Sequence, residues 1–218
     1  MKIKLEKTLP GEIEKRSFEI IKKELERAGK TLNPETESVV IRVIHATADF
    51  DYADNLCFSD GAVGRAVAAL RSGCHIVTDT RMALAGVNRR VLSSLGGEAH
   101  CFMADESVAR EAAARGVTRA AVCMERAAQL NVPLIVAVGN APTALVRLYE
   151  LMSEGRIRPA LVIGVPVGFV NVAEAKELIL GAGVPHIVAK GRKGGSGVAA
   201  AVCNALLLLA RGEKEKSS

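Results

Sequence analysis

Aromatic side chains are scarce in this chain. Its 218 residues include no Trp, two Tyr and five Phe, so an aliphatic core is expected. Proteins that bind single-stranded nucleic acid commonly stack the bases on aromatic rings. The shortage of rings argues against a nucleic-acid partner. The formal net charge of +5, without a long basic run, suits an anionic ligand better than a DNA-covering surface.

Cysteine is also infrequent, and its pattern argues against two further classes of protein. The five cysteines are odd in number, widely spaced and form no Cys-x-x-Cys pair: Cys57, Cys74, Cys101, Cys123 and Cys203. A disulfide framework and a zinc knuckle are therefore not expected. Small buried thiols in a reducing cytosol are the simpler interpretation.

Long uninterrupted apolar runs are missing as well. The longest, 198–210, contains Asn204 and is too short to cross a bilayer. The N-terminal residues, MKIKLEKTLPGEIEKRS, are too charged for a signal peptide. We therefore expect a cytoplasmic protein that does not insert into a membrane.

Short apolar runs recur between stretches of helical periodicity. Strands are predicted at 39–44, 75–78, 99–103, 134–138, 160–164 and 186–189. Helices are predicted at 11–28, 55–72, 82–95, 106–130 with a break at Gly116, 141–154, 172–182 and 196–211. Continuously apolar strands that alternate with helices predict a parallel sheet covered on both faces, which is a three-layer α/β/α sandwich.

The sequence predicts a single domain over 1–218, because no linker rich in Pro, Gly or Ser divides it. Residues 1–38 precede the first predicted strand and are expected to form an N-terminal helical arm. Residues 212–218, GEKEKSS, are expected to form a solvated tail.

The most unusual sequence follows the predicted strands. In open parallel sheets, ligands bind beyond the carboxyl ends of the strands, which all lie at one edge. The segments at this edge are HATAD from His45, DTRM from Asp79, GNAPT from Gly139, VPVGF from Val165 and KGRKGGSG from Lys190. Their common position predicts a ligand site at that edge.

His45 is the strongest candidate for chemistry. Of the four histidines it is the one that follows a predicted strand, whereas His75 and His186 begin strands and His100 lies inside one. An imidazole can donate or accept a proton near neutral pH without strong tuning. No second histidine, cysteine or carboxylate accompanies His45 at metal-ligand spacing, so a bound metal ion is not expected there.

The segment KGRKGGSG has the features of an anion site. Lys190, Arg192 and Lys193 supply positive charge, and the glycines and the following helix start supply backbone N–H groups. It is not a Walker A loop, and no Gly-x-Ser-x-Gly hydrolase elbow is present either. A flexible glycine turn with solvated charges is the alternative interpretation.

Other candidates are less distinctive. Asn140 fits a helix cap as well as a ligand contact, and Phe169 fits either an apolar wall of a site or a plug over the core. Arg16 and Ser17 begin the first predicted helix and can reach a ligand or solvent.

Five blocks in this order resemble the precorrin-8X methylmutase family, also called precorrin isomerase. The blocks are IRVIHATADFDYADN, TDTRMALAGV, VGNAPTAL, RPALVIGVPVGFVNVAEAKE and GRKGGSGVAAAVCNAL. The resemblance extends from about Arg16 to Leu207. The family's histidine motif often has Thr-Gly where this chain has Ala46, Thr47 and Ala48.

The resemblance implies a flavodoxin-like fold and an isomerase of cobalamin biosynthesis. The reaction would move a methyl group from C-11 to C-12 of precorrin-8X or cobalt-precorrin-8, giving hydrogenobyrinic or cobyrinic acid. His45 would assist by protonating the ring system, with no cofactor, in a homodimer whose sites lie near the subunit interface. The expected substrate-binding residues are Arg16, Ser17, Thr80, Arg81, Asn140, Thr143, Phe169, Arg192, Lys193 and Ser196.

Two other functions compete with this interpretation. The chain would be a carrier if it bound a corrinoid tightly without turnover. It would be an unrelated enzyme if the KGRKGGSG segment bound a phosphate ligand instead of the carboxylates of a tetrapyrrole.

Overall fold

The computed structural model describes residues 9–212. Residues 1–8 of the predicted arm and 213–218 of the predicted tail lie outside the described residues. Within 9–212, no helix combines the length and the apolar character that crossing a bilayer requires.

Strands and helices alternate along most of the chain. The strands are β1 (Leu56–Phe58), β2 (His75–Thr78), β3 (Ala99–His100), β4 (Leu134–Val138), β5 (Leu161–Gly164) and β6 (His186–Ala189). The helices are α1 (Ile13–Arg27), α2 (Glu37–Thr47), α3 (Tyr52–Asn55), α4 (Ala62–Arg71), α5 (Arg81–Gly86), α6 (Arg89–Ser94), α7 (Glu106–Arg115), α8 (Arg119–Ala127), α9 (Pro142–Ser153), α10 (Val172–Leu180) and α11 (Ser196–Arg211).

The six strands form one sheet in the order β1-β6-β5-β4-β2-β3. Strands β2 to β6 are all parallel to one another, and β1 runs antiparallel beside β6 at one edge of the sheet. Among the parallel strands the order is second, first, third, fourth, fifth, which is the flavodoxin-like order. The direction of winding reverses between β2 and β4, where ligands bind in folds of this type.

The sheet is buried on both faces, as its apolar strands predict. In β4, Ile135 and Ala137 belong to one core, and Leu134, Val136 and Val138 belong to the other. Helices α1, α2, α4 and α11 pack their apolar side chains into the first core, and α7 to α10 pack theirs into the second. The three-layer α/β/α sandwich is therefore confirmed.

The predicted strand at 39–44 is wrong, because these residues lie in helix α2. Short β-branched runs do not by themselves distinguish a strand from a buried helix. In α2 the run is buried on more than one side of the helix, since it packs between α1 and α11. Almost continuous burial removes the helical periodicity that would have identified it.

Strand β1 forms where the sequence predicted the start of a helix, at Leu56–Phe58. It pairs antiparallel with β6 in a register that sets Cys57 opposite Val188. The predicted helix at 82–95 is two helices, α5 and α6. The predicted break at Gly116 is confirmed, and Gly116 has a left-handed φ of 64°.

Candidate functional site

His45 lies in the last turn of α2 and is exposed. The prediction that it follows a strand is wrong, yet it lies near the edge where the parallel strands end. The reason is an ionic contact just beyond the helix. Lys193 Nζ contacts Asp49 Oδ2 at 2.7 Å and Asp51 Oδ2 at 2.6 Å. The end of α2 is therefore tied to the segment that follows β6.

Helix α1 supports the His45 ring from one side. The buried Phe18 ring meets the imidazole edge to face, with 5.3 Å between the ring centroids. The Arg42 guanidinium lies 5.3 Å from the Phe18 centroid and pairs with Glu14 at 2.8 Å. Phe18 was not among the predicted site residues, although this rare aromatic residue directly follows the candidates Arg16 and Ser17.

The two candidates before Phe18 make contacts within their own helix. Arg16 Nη1 lies 3.3 Å from Glu19 Oε2, and the Ser17 hydroxyl donates to the Ile13 carbonyl at 2.8 Å. Both residues are half-buried and lie on the helix turn that presents Phe18 to His45.

The segments after β2, β4 and β6 meet directly. Thr80 Oγ1 and Ser196 Oγ are 2.7 Å apart, and the Thr80 oxygen also caps α5 by accepting from the Ala83 N–H at 3.0 Å. A side chain at Gly139 would lie 2.8 Å from the Ser196 Cα. Glycine at this position allows the turn after β4 to approach the start of α11.

Asp79 organises the turn that carries Asn140. Its fully buried carboxylate accepts from the N–H groups of Gly139, Asn140 and Ala141 at 2.8, 2.8 and 2.7 Å. Burial raises the pKa of Asp79, and the three backbone donors oppose that rise because they stabilise the charged form. Asp79 therefore joins β2 to β4 where the winding of the sheet reverses. The sequence signal that could have identified this role is an acidic residue directly after an apolar strand.

The side chain of Asn140 does not cap α9, so the capping interpretation is wrong. The N-cap of α9 is Ala141, without a side-chain hydrogen bond, and Pro142 occupies the first turn. Asn140 is exposed, while its backbone is held by Asp79.

Hydrogen bonds hold the backbone of the basic glycine segment, while the side chains of Lys190, Arg192 and Lys193 are exposed, as the alternative interpretation expected. Lys176 on α10 is fully buried, and its Nζ donates to the carbonyls of Gly191 and Lys193, both at 2.8 Å. Burial lowers the pKa of Lys176 to about 8. The Gly195 N–H donates to the Val165 carbonyl at 2.8 Å. Sequence reasoning missed Lys176, because most lysines on amphipathic helices face solvent.

Phe169 and Arg192 form an exposed pair beside this loop. The Arg192 guanidinium lies 5.4 Å from the Phe169 ring centroid, which is a cation–π contact. Phe169 is 81% exposed, so it is not a plug over the core. Its neighbours Val167 and Val170 are also exposed, and together they form an apolar surface next to a positive charge.

Within residues 9–212, two of the candidates make no hydrogen bond or ion pair with this cluster. Arg81 is exposed at the first position of α5. Thr143 accepts a hydrogen bond from the Thr118 hydroxyl at 2.9 Å, so it contacts the start of α8.

The edge combines an exposed imidazole, a cation and apolar surface. His45 is the exposed imidazole, Arg192 carries a positive charge, and Phe169 offers a flat face. This combination suits a large, flat, anionic ligand that requires one proton to be moved during reaction.

Comparison with known proteins identifies the family. A family model described as Precorrin-8X methylmutase matches residues 12–209. The chain is 45% identical to the cobalt-precorrin-8 methylmutase of Salmonella typhimurium, covering 91% of this chain and 94% of that protein. It is 40% identical to the precorrin-8X methylmutase of Pseudomonas aeruginosa, covering 89% of this chain and 93% of that protein.

A solved structure agrees with this similarity. The precorrin-8X methyl mutase of Thermus thermophilus superposes with a TM-score of 0.83 at 43% identity, covering 92% of this chain and 98% of that one. The sequence match and the shared fold extend over nearly all described residues. The chain therefore belongs to the precorrin-8X methylmutase family.

Proposed function

We propose that this chain catalyses the intramolecular transfer of a methyl group from C-11 to C-12 of precorrin-8X or cobalt-precorrin-8, in cobalamin biosynthesis. The product would be hydrogenobyrinic or cobyrinic acid. The observation that supports the proposal most strongly is the exposed His45 imidazole. The ion pair between Lys193 and Asp49 links the segment after His45 to the basic glycine loop that carries Arg192. Relatives that match over most of their length are named methylmutases, which supports an isomerase and gives no support to a carrier.

His45 is the proposed general acid. A methyl shift within one molecule leaves the atom count unchanged, so the enzyme has to supply only a transient proton and a defined binding geometry. His45 would donate the proton to the conjugated ring and recover it after migration. The Phe18 edge contact restricts the ring orientation from which it donates.

Arg192 is the proposed main contact to the substrate carboxylates. Its guanidinium is exposed and suits fork-like pairing with a carboxylate, while Phe169 would lie against the flat ring. Lys193 shares its charge with Asp49 and Asp51, so its proposed role is to hold the loop closed onto α2. Further proposed contacts are Arg16, Ser17, Thr80, Arg81, Asn140, Thr143 and Ser196.

We also propose a cytoplasmic homodimer whose interface borders the site. Support comes from the exposed apolar side chains of Phe169, Val170 and Met82. Apolar groups at such a position favour contact with another protein surface. Light scattering coupled to gel filtration tests the dimer, and a monomer at micromolar concentration would contradict it.

The proposal is tested with His45→Gln under multiple turnover. We expect kcat to fall by about 10²–10⁴-fold, which is the usual contribution of general acid–base catalysis. We expect corrinoid affinity to change less than about threefold, because Gln keeps the polar contact. Near-normal kcat in this variant would contradict the role of His45.

The same assay separates the isomerase from a carrier. With substrate in large excess, an isomerase continues to convert it, whereas a carrier stops once one equivalent of corrinoid is bound per protein.

Arg192→Lys provides a second test, in which we expect KM to rise more than kcat falls. The charge is kept while the planar donor fork is lost.

A further inference from the structure

A cluster of three potential metal ligands includes none of the proposed substrate contacts. It consists of His75, the first residue of β2, Glu98, the residue before β3, and His100, the last residue of β3. The segment that includes Thr80 follows the opposite end of β2. At about 3.3 Å per residue, His75 is roughly 15 Å from Thr80 along the chain. His100 lies closer to that segment, because its backbone carbonyl is 3.4 Å from the Thr78 hydroxyl.

The register of the sheet brings the three side chains to one face. Val77 pairs with His100 and Ile76 with Ala99, and the Ile76 N–H donates to the Glu98 carbonyl at 2.8 Å. Directly paired residues and residues two apart on a strand share a face of the sheet. The backbone ladder therefore fixes the positions from which the two rings and the carboxylate project.

The ligand atoms are already close together. His75 Nδ1 and His100 Nε2 are 2.9 Å apart, and both lie within 4.8 Å of a Glu98 carboxylate oxygen. Zinc binds nitrogen and oxygen at about 2.0–2.2 Å, and ligand atoms already this close to one another can reach a common ion. Small side-chain rotations therefore suffice, and Glu98 is exposed and free of tight packing.

We propose that His75, Glu98 and His100 bind a divalent transition-metal ion, with Zn²⁺ the best match to the ligand set. Two imidazoles and one carboxylate form a ligand set that binds zinc in proteins, and a water would complete four-coordination. In the free protein either His75 Nδ1 or His100 Nε2 donates its proton in a hydrogen bond to the other. The metal ion replaces that proton and contacts both rings.

The ion would join β2 to an edge strand that has little other support. Strand β3 has two residues and pairs with β2 at two positions. A metal that binds only the folded protein raises its stability by an amount that grows with the logarithm of the ratio of free metal concentration to Kd. The site is therefore structural, and the methylmutase reaction does not depend on it.

The test uses the full chain, without an affinity tag and stripped of metal with a chelator. Calorimetric titration with ZnCl₂ is expected to show one ion per chain with a Kd in the micromolar range or below. Replacing Zn²⁺ with Co²⁺ is expected to give the intense visible absorption of a four-coordinate ion. Zn²⁺ is expected to raise Tm, whereas turnover in the presence and absence of chelator is expected to be equal.

Variants locate the binding. His75→Ala and His100→Ala are expected to weaken Zn²⁺ binding at least tenfold, and the exposed, conservative Glu98→Gln at least threefold. His45→Ala and Cys101→Ser are matched controls, because each removes one potential ligand outside the set, and both should bind as the unaltered protein does. Unchanged binding in Glu98→Gln and His100→Ala, loss of binding in a control, or a Kd above a millimolar would overturn the proposal.

Discussion

Ala48 adopts a backbone conformation that glycine reaches more easily. It ends α2 with φ 53° and ψ 27°, and its N–H donates to the Ile44 carbonyl at 2.7 Å. This left-handed position after a helix is usually occupied by glycine, since a Cβ there costs about 1–2 kcal/mol. Ala48 lies three residues after His45. The strained position is therefore between the end of α2 and the residues that pair with Lys193.

Ala48→Gly is therefore expected to stabilise the protein. The gain from relieving the left-handed strain exceeds the entropy that glycine adds to the unfolded chain, and we expect about 0.5–1 kcal/mol in the free energy of unfolding. Urea denaturation, monitored by circular dichroism, measures this change in the free energy of unfolding.

Ala46→Gly is the matched control for this change. Ala46 is exposed within α2, where glycine lowers stability by roughly 0.5–1 kcal/mol. If both variants lost stability equally, the strain assigned to Ala48 would be wrong.

Helices α7, α8 and α9 are joined by one carboxylate. Glu125 on α8, 8% exposed, accepts from Arg115 of α7 at 2.6 and 2.9 Å and from Arg147 of α9 at 2.8 Å. The hydrogen bond from Arg115 and then that from Arg147 lower the pKa of Glu125 to about 2, against the opposing effect of burial. Ionised Glu125 therefore supports the packing of this layer on the sheet.

Glu125→Gln is expected to lower the free energy of unfolding by about 2–3 kcal/mol at pH 7. The folded pKa lies below the unfolded value near 4.5, so the contribution is complete above pH 5 and shrinks as the pH falls towards 2. Urea denaturation of both proteins at pH 7, 5 and 3 measures the difference.

Glu106→Gln supplies the comparison for Glu125. Glu106 pairs with Arg110 at 3.5 Å, and both side chains are highly exposed. Exposed pairs contribute less than about 1 kcal/mol, so we expect a small effect at every pH. A Glu125 difference that stayed constant from pH 7 to pH 3 would argue against the assigned pKa.

At the scale of the whole molecule, the candidate site is formed by segments that are far apart in the sequence. Parallel strands place their carboxyl ends at one edge, and the turns after β2, β4 and β6 touch there through Thr80, Gly139 and Ser196. Their close contact depends on the absence of a side chain at Gly139. The close approach of the turn after β4 to the start of α11 therefore leaves no room for a methyl group at Gly139.

Gly139→Ala is expected to destabilise the fold by about 1–3 kcal/mol, because the added Cβ meets backbone atoms that cannot rotate away. Differential scanning calorimetry measures the fall in Tm. Gly197→Ala is the control, since it lies in α11 with open space around its Cβ position, and we expect unchanged or slightly higher stability. Equal losses in both variants would contradict the packing argument.

Several parts of the fold could be predicted because their signals are local. The strands at His75–Thr78, Leu134–Val138 and His186–Ala189 agree with their apolar runs, and α11 begins and ends where the sequence predicted. Turn segments rich in glycine and charge followed these strands. The parallel topology then placed those segments at the same edge.

Other parts could not be predicted because their signals are not local. Residues 39–44 have the composition of a strand, and only packing between α1 and α11 makes them a helix. The buried Lys176 has its partners on the loop after β6, and Phe18 has its partner on α2. No spacing along the chain reveals such partners.

The sequence by itself determined the family, the α/β class and the identity of His45 as the candidate acid, because motif blocks and apolar runs are properties of short segments. Tertiary structure alone decided that His45 ends a helix, that Asp79 and Lys176 hold the loops, and that His75, Glu98 and His100 meet. The physical reason is that hydrogen bonds, ion pairs and close backbone approach act between atoms adjacent in space. Only the packing of the sheet and its helices makes those atoms neighbours.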